Sequence, residues 1–199
     1  MSAQSASEKG RQTRRRLVEA AVELIPEVGW GAVTTRLVAE RAGVRPGLVH
    51  YHFDSVSDLL GTAAVEFAEA ALAAPMRSLR AAPDPAAGVA RLMEALEVYS
   101  GHDPGSLLIT EAYLAATRDA ALRTALADML DRFRADAARW LDGHGVPDAE
   151  ACAVLLCALV DGIVLHRGLA GTPGVQDLMG PLSRLVAAPA AGDDGRNPE

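Results

Sequence analysis

Arg36, Arg45, His50, Tyr51 and His52 crowd into one short stretch in which Glu40 is the sole acid. Such a set of cations and hydrogen-bond donors suits a polyanion. Lysine and arginine neutralise phosphates, and an arginine can also fork onto the O6 and N7 edge of guanine. Arg14, Arg15 and Arg16 add three consecutive cations upstream, and Thr34 and Thr35 add hydroxyls. Other chemistries are poorly supplied. Cys152 and Cys157 are five residues apart, about 140° around a helix, so they share no side and read as small buried hydrophobes. His102, Asp103, His144 and His166 are scattered without ligand spacing, so neither a metal nor a cofactor is expected. The chain has no phosphate-cradling glycine loop, no His-Glu-x-x-His and no nucleophile elbow, so no enzyme is expected. Asp161 stands inside an apolar run, where a carboxylate needs a partner. His166 and Arg167 are near in sequence and can pair with it across a dimer, or it faces an exposed strip.

The elements that must position these groups are helical. Half of the 199 residues are hydrophobic, and only 4% are aromatic. Alanine and leucine dominate, which favours helix over strand. Residues 1–10 are small and polar and are expected to be disordered, as is the tail 188–199. From Arg11, Leu17, Ala21, Leu24, Ile25 and Val28 recur on one helical face, and Gly29 stops the run. Thr34 or Thr35 caps a second helix to about Ala42. Pro46 opens a short third helix to about Phe53. Ser55 or Ser57 caps a fourth, which Pro75 should end or kink. A fifth helix carries Val89, Leu92, Met93, Leu96 and Tyr99, and a sixth covers 106–118. In 120–142 a stripe runs through Leu122, Leu126, Met129, Phe133 and Ala137 to Trp140 and Leu141. Residues 149–169 are apolar nearly all round, and a helix greasy on every side is covered on every side. In a small protein that implies a second subunit. A last helical piece spans about 175–187, interrupted at Pro181. No uninterrupted apolar stretch reaches the ~20 residues of a membrane span, so no membrane partner is expected.

Charge divides along the chain. Residues 1–53 hold eight Lys/Arg against five Asp/Glu, although the whole chain is at −7. A basic head on an acidic body implies that one end meets the polyanion while the body stays in solution.

Three short helices with a tight turn at Ala42–Gly43–Val44 make a helix-turn-helix, whose third helix enters the major groove by its N-terminal end. The segment TTRLVAERAGVRPGLVHYHFDSVSDLL (residues 34–60) resembles the DNA-binding domain of the TetR family of transcriptional regulators. The spacing, the turn glycine and the Tyr–His–Phe ending carry the likeness over about 15–60. The resemblance implies an all-α chain: a three-helix head over 11–54 and a helical ligand-binding and dimerisation body over 55–187. Thr34 resembles the family's capping and phosphate-contacting hydroxyl. Arg36 stands at a basic position near the backbone. Arg45, Pro46 and Gly47 stand where members touch base edges, Tyr51 and His52 where they reach phosphates, and Phe53 where an anchor closes the head. Two positions depart from the pattern: His50 replaces a usual tyrosine and Val56 a usual lysine. Arg14, Arg15, Arg16 and Arg36 are expected to make up the lost contact.

The implied function is a cytoplasmic, homodimeric repressor. It binds a palindromic double-stranded operator and is released by a small, largely apolar effector. The alternative is a helical protein–protein interaction module that has lost DNA binding. Cavity candidates are Phe67, Met93, Leu96, Tyr99, Leu108, Glu111 and Tyr113. Dimer-interface candidates are Leu126, Phe133, Trp140, Leu155, Leu159, Ile163 and His166.

Overall fold

The computed structural model describes residues 2–170 and 174–187, the side chains of residues 2–6 and 175 excepted. Nine α-helices and two 3-10 turns make up the regular structure of these residues, with no strand among them. The helices are α1 (Ser2–Val28), α2 (Thr35–Arg41), α3 (Gly47–His52), α4 (Val56–Arg80), α5 (Pro85–Ala95), α6 (Pro104–Ala116), α7 (Ala120–Asp142), α8 (Ala149–Arg167) and α9 (Val175–Leu185). The 3-10 turns are Trp30–Ala32 and Leu96–Val98.

Most starts are written in single residues. The side-chain oxygens of Thr34, Ser55, Asp84, Asp103 and Asp119 accept from backbone amides two or three positions ahead, at 2.8–3.2 Å. Each satisfies an amide that the helix itself leaves unpaired. Asp103 followed by Pro104 starts α6 two residues before the expected position.

The start of α1 departs further from expectation. Helix runs from Ser2, not Arg11, so residues 2–10 are not the disordered tail anticipated from their polarity. Arg11 bonds to Ser7 at 2.9 Å and to Glu8 at 2.8 Å, the one-turn spacings that support an exposed helix. Pro75 and Pro181 also lie inside helices rather than ending them. Buried Met76 and Leu79 on one side and Leu182 on the other hold those turns in place. The tail 188–199 lies outside the described residues.

The buried side chains form two clusters. One joins α1, α2, α3 and the first half of α4 to α6 and the start of α7, through residues such as Leu17, Val38, Val49, Leu59, Leu108 and Leu126. The other joins the end of α4 to α5, α8, α9 and the end of α7, through Leu79, Leu92, Met93, Leu141 and Leu156. The α7 stripe is therefore covered within the chain. Leu126, Phe133 and Ile163, expected between subunits, are buried in the protomer's own core. Trp140 is half-buried, with its ring against Gly88. Periodicity identifies an apolar face but not the neighbour that covers it.

By length and composition, α4 and α8 are apolar enough to cross a membrane, which a search for unbroken apolar runs misses because Glu66 and Glu69 interrupt α4 and Asp161 interrupts α8. Each packs one face into the core described above.

Candidate nucleic-acid interface and cavity

The head is a tight tripod. Gly43 adopts φ +63°, where a side chain is strained, and so lets α2 reverse into α3. The amide of Val44 donates to the Ala39 carbonyl at 2.9 Å, and its side chain packs on the first core cluster. Val49 and Phe53 are buried, which turns the opposite side of α3 outward: Leu48, His50 and Tyr51 are exposed, Tyr51 at 79%. Tyr51 meets His52 edge to face at 5.0 Å between ring centroids. Arg36, Arg45, Pro46 and Gly47 are exposed at the leading edges of α2 and α3. Among the described residues neither Arg36 nor Arg45 has an ion-pair partner.

The α1 cations are partly committed elsewhere. Arg16 donates to the carbonyls of Ala42 and, at 3.2 Å, Gly43, so it braces the turn instead of standing free for a phosphate. Arg14 pairs with Glu66 at 3.0 Å and lies 5.2 Å from the centre of the Phe53 ring. Arg15 faces Glu19 at 3.3 Å with both side chains well exposed, a weak restraint. Arg41 ties α2 to α1 through Glu23 and Glu27, at 3.1 and 2.6 Å.

In the body a cavity of about 290 Å³ opens between α4, α5, α6, α7 and α8. It lies where the two core clusters meet: Phe67 and Leu126 come from one, Leu96, Phe133 and Val160 from the other, and Leu72 packs on both. Its wall is aliphatic and aromatic apart from a few polar groups. Tyr113 Oη donates to Asp161 Oδ2 at 3.1 Å. Burial, then the Asp161 charge, push the Tyr113 phenol above its ordinary range. Burial raises the Asp161 carboxyl as well, against the lowering effects of the Tyr113 hydrogen bond and the nearby Arg134. Burial pushes the Cys157 thiol up to about 11, so it stands as a thiol at neutral pH. Gly105 permits close packing at the rim, since a Cβ there would come within 2.9 Å of the Phe67 ring and 3.1 Å of the Tyr99 ring.

Beside the shared core, one hydrogen bond ties α6 to the head. Glu111, on α6, accepts from the Trp30 amide at 3.0 Å, in the turn that follows α1. At the other end of α6, Arg167 of α8 donates to the carbonyls of Leu96 and Tyr99 at 2.5 and 3.0 Å. There Gly101, at φ +82°, lies so close to Gly168 that a Cβ would overlap its backbone.

Residues 17–69 match the family model described as bacterial regulatory proteins, tetR family. Residues 83–188, more than half of the chain, match the tetracyclin repressor-like C-terminal domain. The chain belongs to the TetR family. A protein described as a transcriptional regulator from Streptomyces coelicolor A3(2) is similar in structure, at 32% identity and a TM-score of 0.74, over 89% of this chain and 99% of that one. The multidrug binding protein EbrR, solved with imidazole, is similar at 31% identity and a TM-score of 0.68, over 89% and 91%. Among curated proteins, an uncharacterized HTH-type transcriptional regulator of Mycobacterium tuberculosis is 27% identical over 195 residues, covering 94% of this chain and 98% of its own. The Streptomyces and Mycobacterium relatives are both described as transcriptional regulators.

In this TetR-family regulator the helix-turn-helix is the DNA-binding element. Thr34 caps α2, Thr35 is its first residue, and Arg45, Pro46, Gly47, His50, Tyr51 and His52 lie along the outer side and ends of α3. Of the cavity candidates, Phe67, Leu96, Tyr99 and Tyr113 line the space. Met93 and Leu108 are instead sealed in the two cores, at 0% and 1% exposure, and Glu111 faces Trp30. Leu155 and His166 are exposed on α8, Leu155 at 52%, whereas Leu159 is half-buried against the second core cluster. Sequence reasoning missed Ile109, Cys157, Val160 and Asp161 as wall residues. The spacing of Ser106, Ile109, Thr110 and Tyr113 along one face of α6 was the available signal. Within the protomer the partner of Asp161 is Tyr113. Among the described residues no cluster of three His, Cys, Asp or Glu side chains is arranged to hold a metal.

Proposed function

We propose that this regulator is a ligand-responsive repressor. Two protomers pair through the outer face of α8 and present their α3 helices to a palindromic operator, about 34–36 Å apart or somewhat more. Arg45, Pro46 and Gly47 read base edges. Arg36, Thr34, Thr35, His50, Tyr51 and His52 hold phosphates, with Arg14 and Arg15 as flanking charge. A small, largely apolar effector enters the cavity, favours a different spacing of the heads and releases the DNA in the cytoplasm. That release requires the effector to bind the two spacings with different affinity.

The observation that carries this reading is the position of the cavity. Its wall includes α6, which reaches the head through Glu111 and Trp30, and α8, whose outer face carries the exposed apolar residues Val154 and Leu155. Filling it therefore acts on the head and on the pairing helix together. The test is fluorescence anisotropy with the chain's own upstream DNA at two salt concentrations. Sequence-selective binding that weakens steeply with salt supports the reading. Binding indifferent to both sequence and salt, or none, overturns it.

A further inference from the structure

Resting on the effector reading, we propose that the cavity takes a compact monocation: an apolar body bearing one protonated or quaternary nitrogen, seated with its charge against Asp161.

The wall itself is the argument. Among the described residues that line it, Asp161 alone carries a formal charge, and no lysine, arginine or histidine does. Tyr113 occupies one carboxylate oxygen, Oδ2. The other has no donor, and Asp161 has no ion pair, among the described residues. Arg134 of α7 is close enough to favour the charged carboxylate; its Nη1 pairs with Asp131 at 3.4 Å, its buried Nε has no partner among the described residues, and it does not line the cavity. Cys157, the remaining titratable neighbour, is a neutral thiol. Gly162, the next residue, also lines the cavity and adds no side chain there. The rings of Phe67, Tyr99, Tyr113 and Phe133 line the same space, and aromatic faces attract a cation stripped of water.

Ligand charge then decides affinity. An unpaired carboxylate in an apolar wall is costly, and a cation offsets that cost directly. A neutral ligand offers at most a hydrogen bond. An anion finds no counter-charge on the wall and meets Asp161 as a like charge. The volume, at the small end of ligand pockets, limits the body to a compact one.

Three probes of equal tail length separate these cases: octyltrimethylammonium, 1-octanol and octanoate, titrated calorimetrically into the full chain at neutral pH. The ammonium is expected to bind about tenfold or more tighter than octanol, with octanoate weakest. Asp161→Asn, which keeps the shape and an acceptor for Tyr113, should remove the ammonium advantage and leave octanol within about twofold. Octanol or octanoate matching the ammonium on the unsubstituted protein overturns the proposal, as does an absence of ammonium binding. That comparison needs no variant. Undiminished ammonium affinity in Asp161→Asn also overturns it. Operator release is read separately by anisotropy. Ammonium binding without release upholds the ligand class and removes the effector role, whereas release by octanoate alone upholds the effector role and removes the class.

Discussion

Arg16 and Arg36 are both exposed cations of the head, and the structure assigns them different work. Arg16 spends its guanidinium on the carbonyls of Ala42 and Gly43, where α2 turns toward α3. Arg36 bonds to none of the described residues. Replacing Arg16 by alanine strips two acceptors of a charged donor. Charge-assisted hydrogen bonds contribute ~1.5–3 kcal/mol each when well buried, so at this partly wet turn the pair together is worth about 1.5 kcal/mol. For a chain of this size that lowers Tm by about 3–6 °C. The salt dependence of operator binding should be unchanged, because no phosphate contact is lost. Arg36→Ala should do the reverse. Tm should hold, while the slope of log K against log salt becomes shallower by ~0.9 for each phosphate contact removed, about 1.8 for a dimer. Thermal denaturation paired with anisotropy across a salt series measures both quantities on the same samples. If Arg16→Ala flattens the salt slope as much as Arg36→Ala and leaves Tm untouched, the division is wrong and Arg16 reaches DNA.

Leu155→Arg places a charge on the exposed apolar side of α8 without entering the protomer's core; sedimentation velocity should show a shift to monomer with helicity retained, and an unchanged dimer would move the interface elsewhere. Asp161 has a raised pKa in the folded chain, so the folded state holds its proton more firmly than the unfolded one. Its contribution to stability is therefore full below the ordinary aspartate range and is lost as pH rises through the raised value. Asp161→Asn should accordingly melt higher than the unsubstituted chain at neutral pH, with the gap closing toward pH 4, about the ordinary aspartate value; a constant gap across that window refutes the assignment.

The head was legible because its determinants are local. Thr34, Gly43 and Ser55 fix backbone geometry within two or three residues, and the pattern of Val49 and Phe53 turns α3. The body was legible only as a set of helices. The stripe from Leu122 to Leu141 reads equally well as a subunit seam or an internal core, because both are apolar at helical spacing. Met93 and Leu108 differ from Leu96 and Tyr99 by which side of one helical turn faces the space, a distinction that depends on the neighbouring helices. The partner of Asp161 lies 48 residues away in the chain, beyond any local spacing rule. The start of α1 is hidden by its polar composition, which resembles that of a disordered tail, although Ser7 and Glu8 both stand at helical distance from Arg11.

The first core cluster does not stop where the reading head does: Leu17, Val38 and Val49 share one continuous interior with Leu108, Ala112 and Leu126. The head is thus not a detachable cartridge. A chimera that grafts it onto another regulator's body inherits a mismatched floor unless the α6 and α7 residues beneath it travel too. In descent, the same dependence makes operator preference free to drift along the exposed rim of α3, while its inner side changes only in step with a helix more than fifty residues downstream.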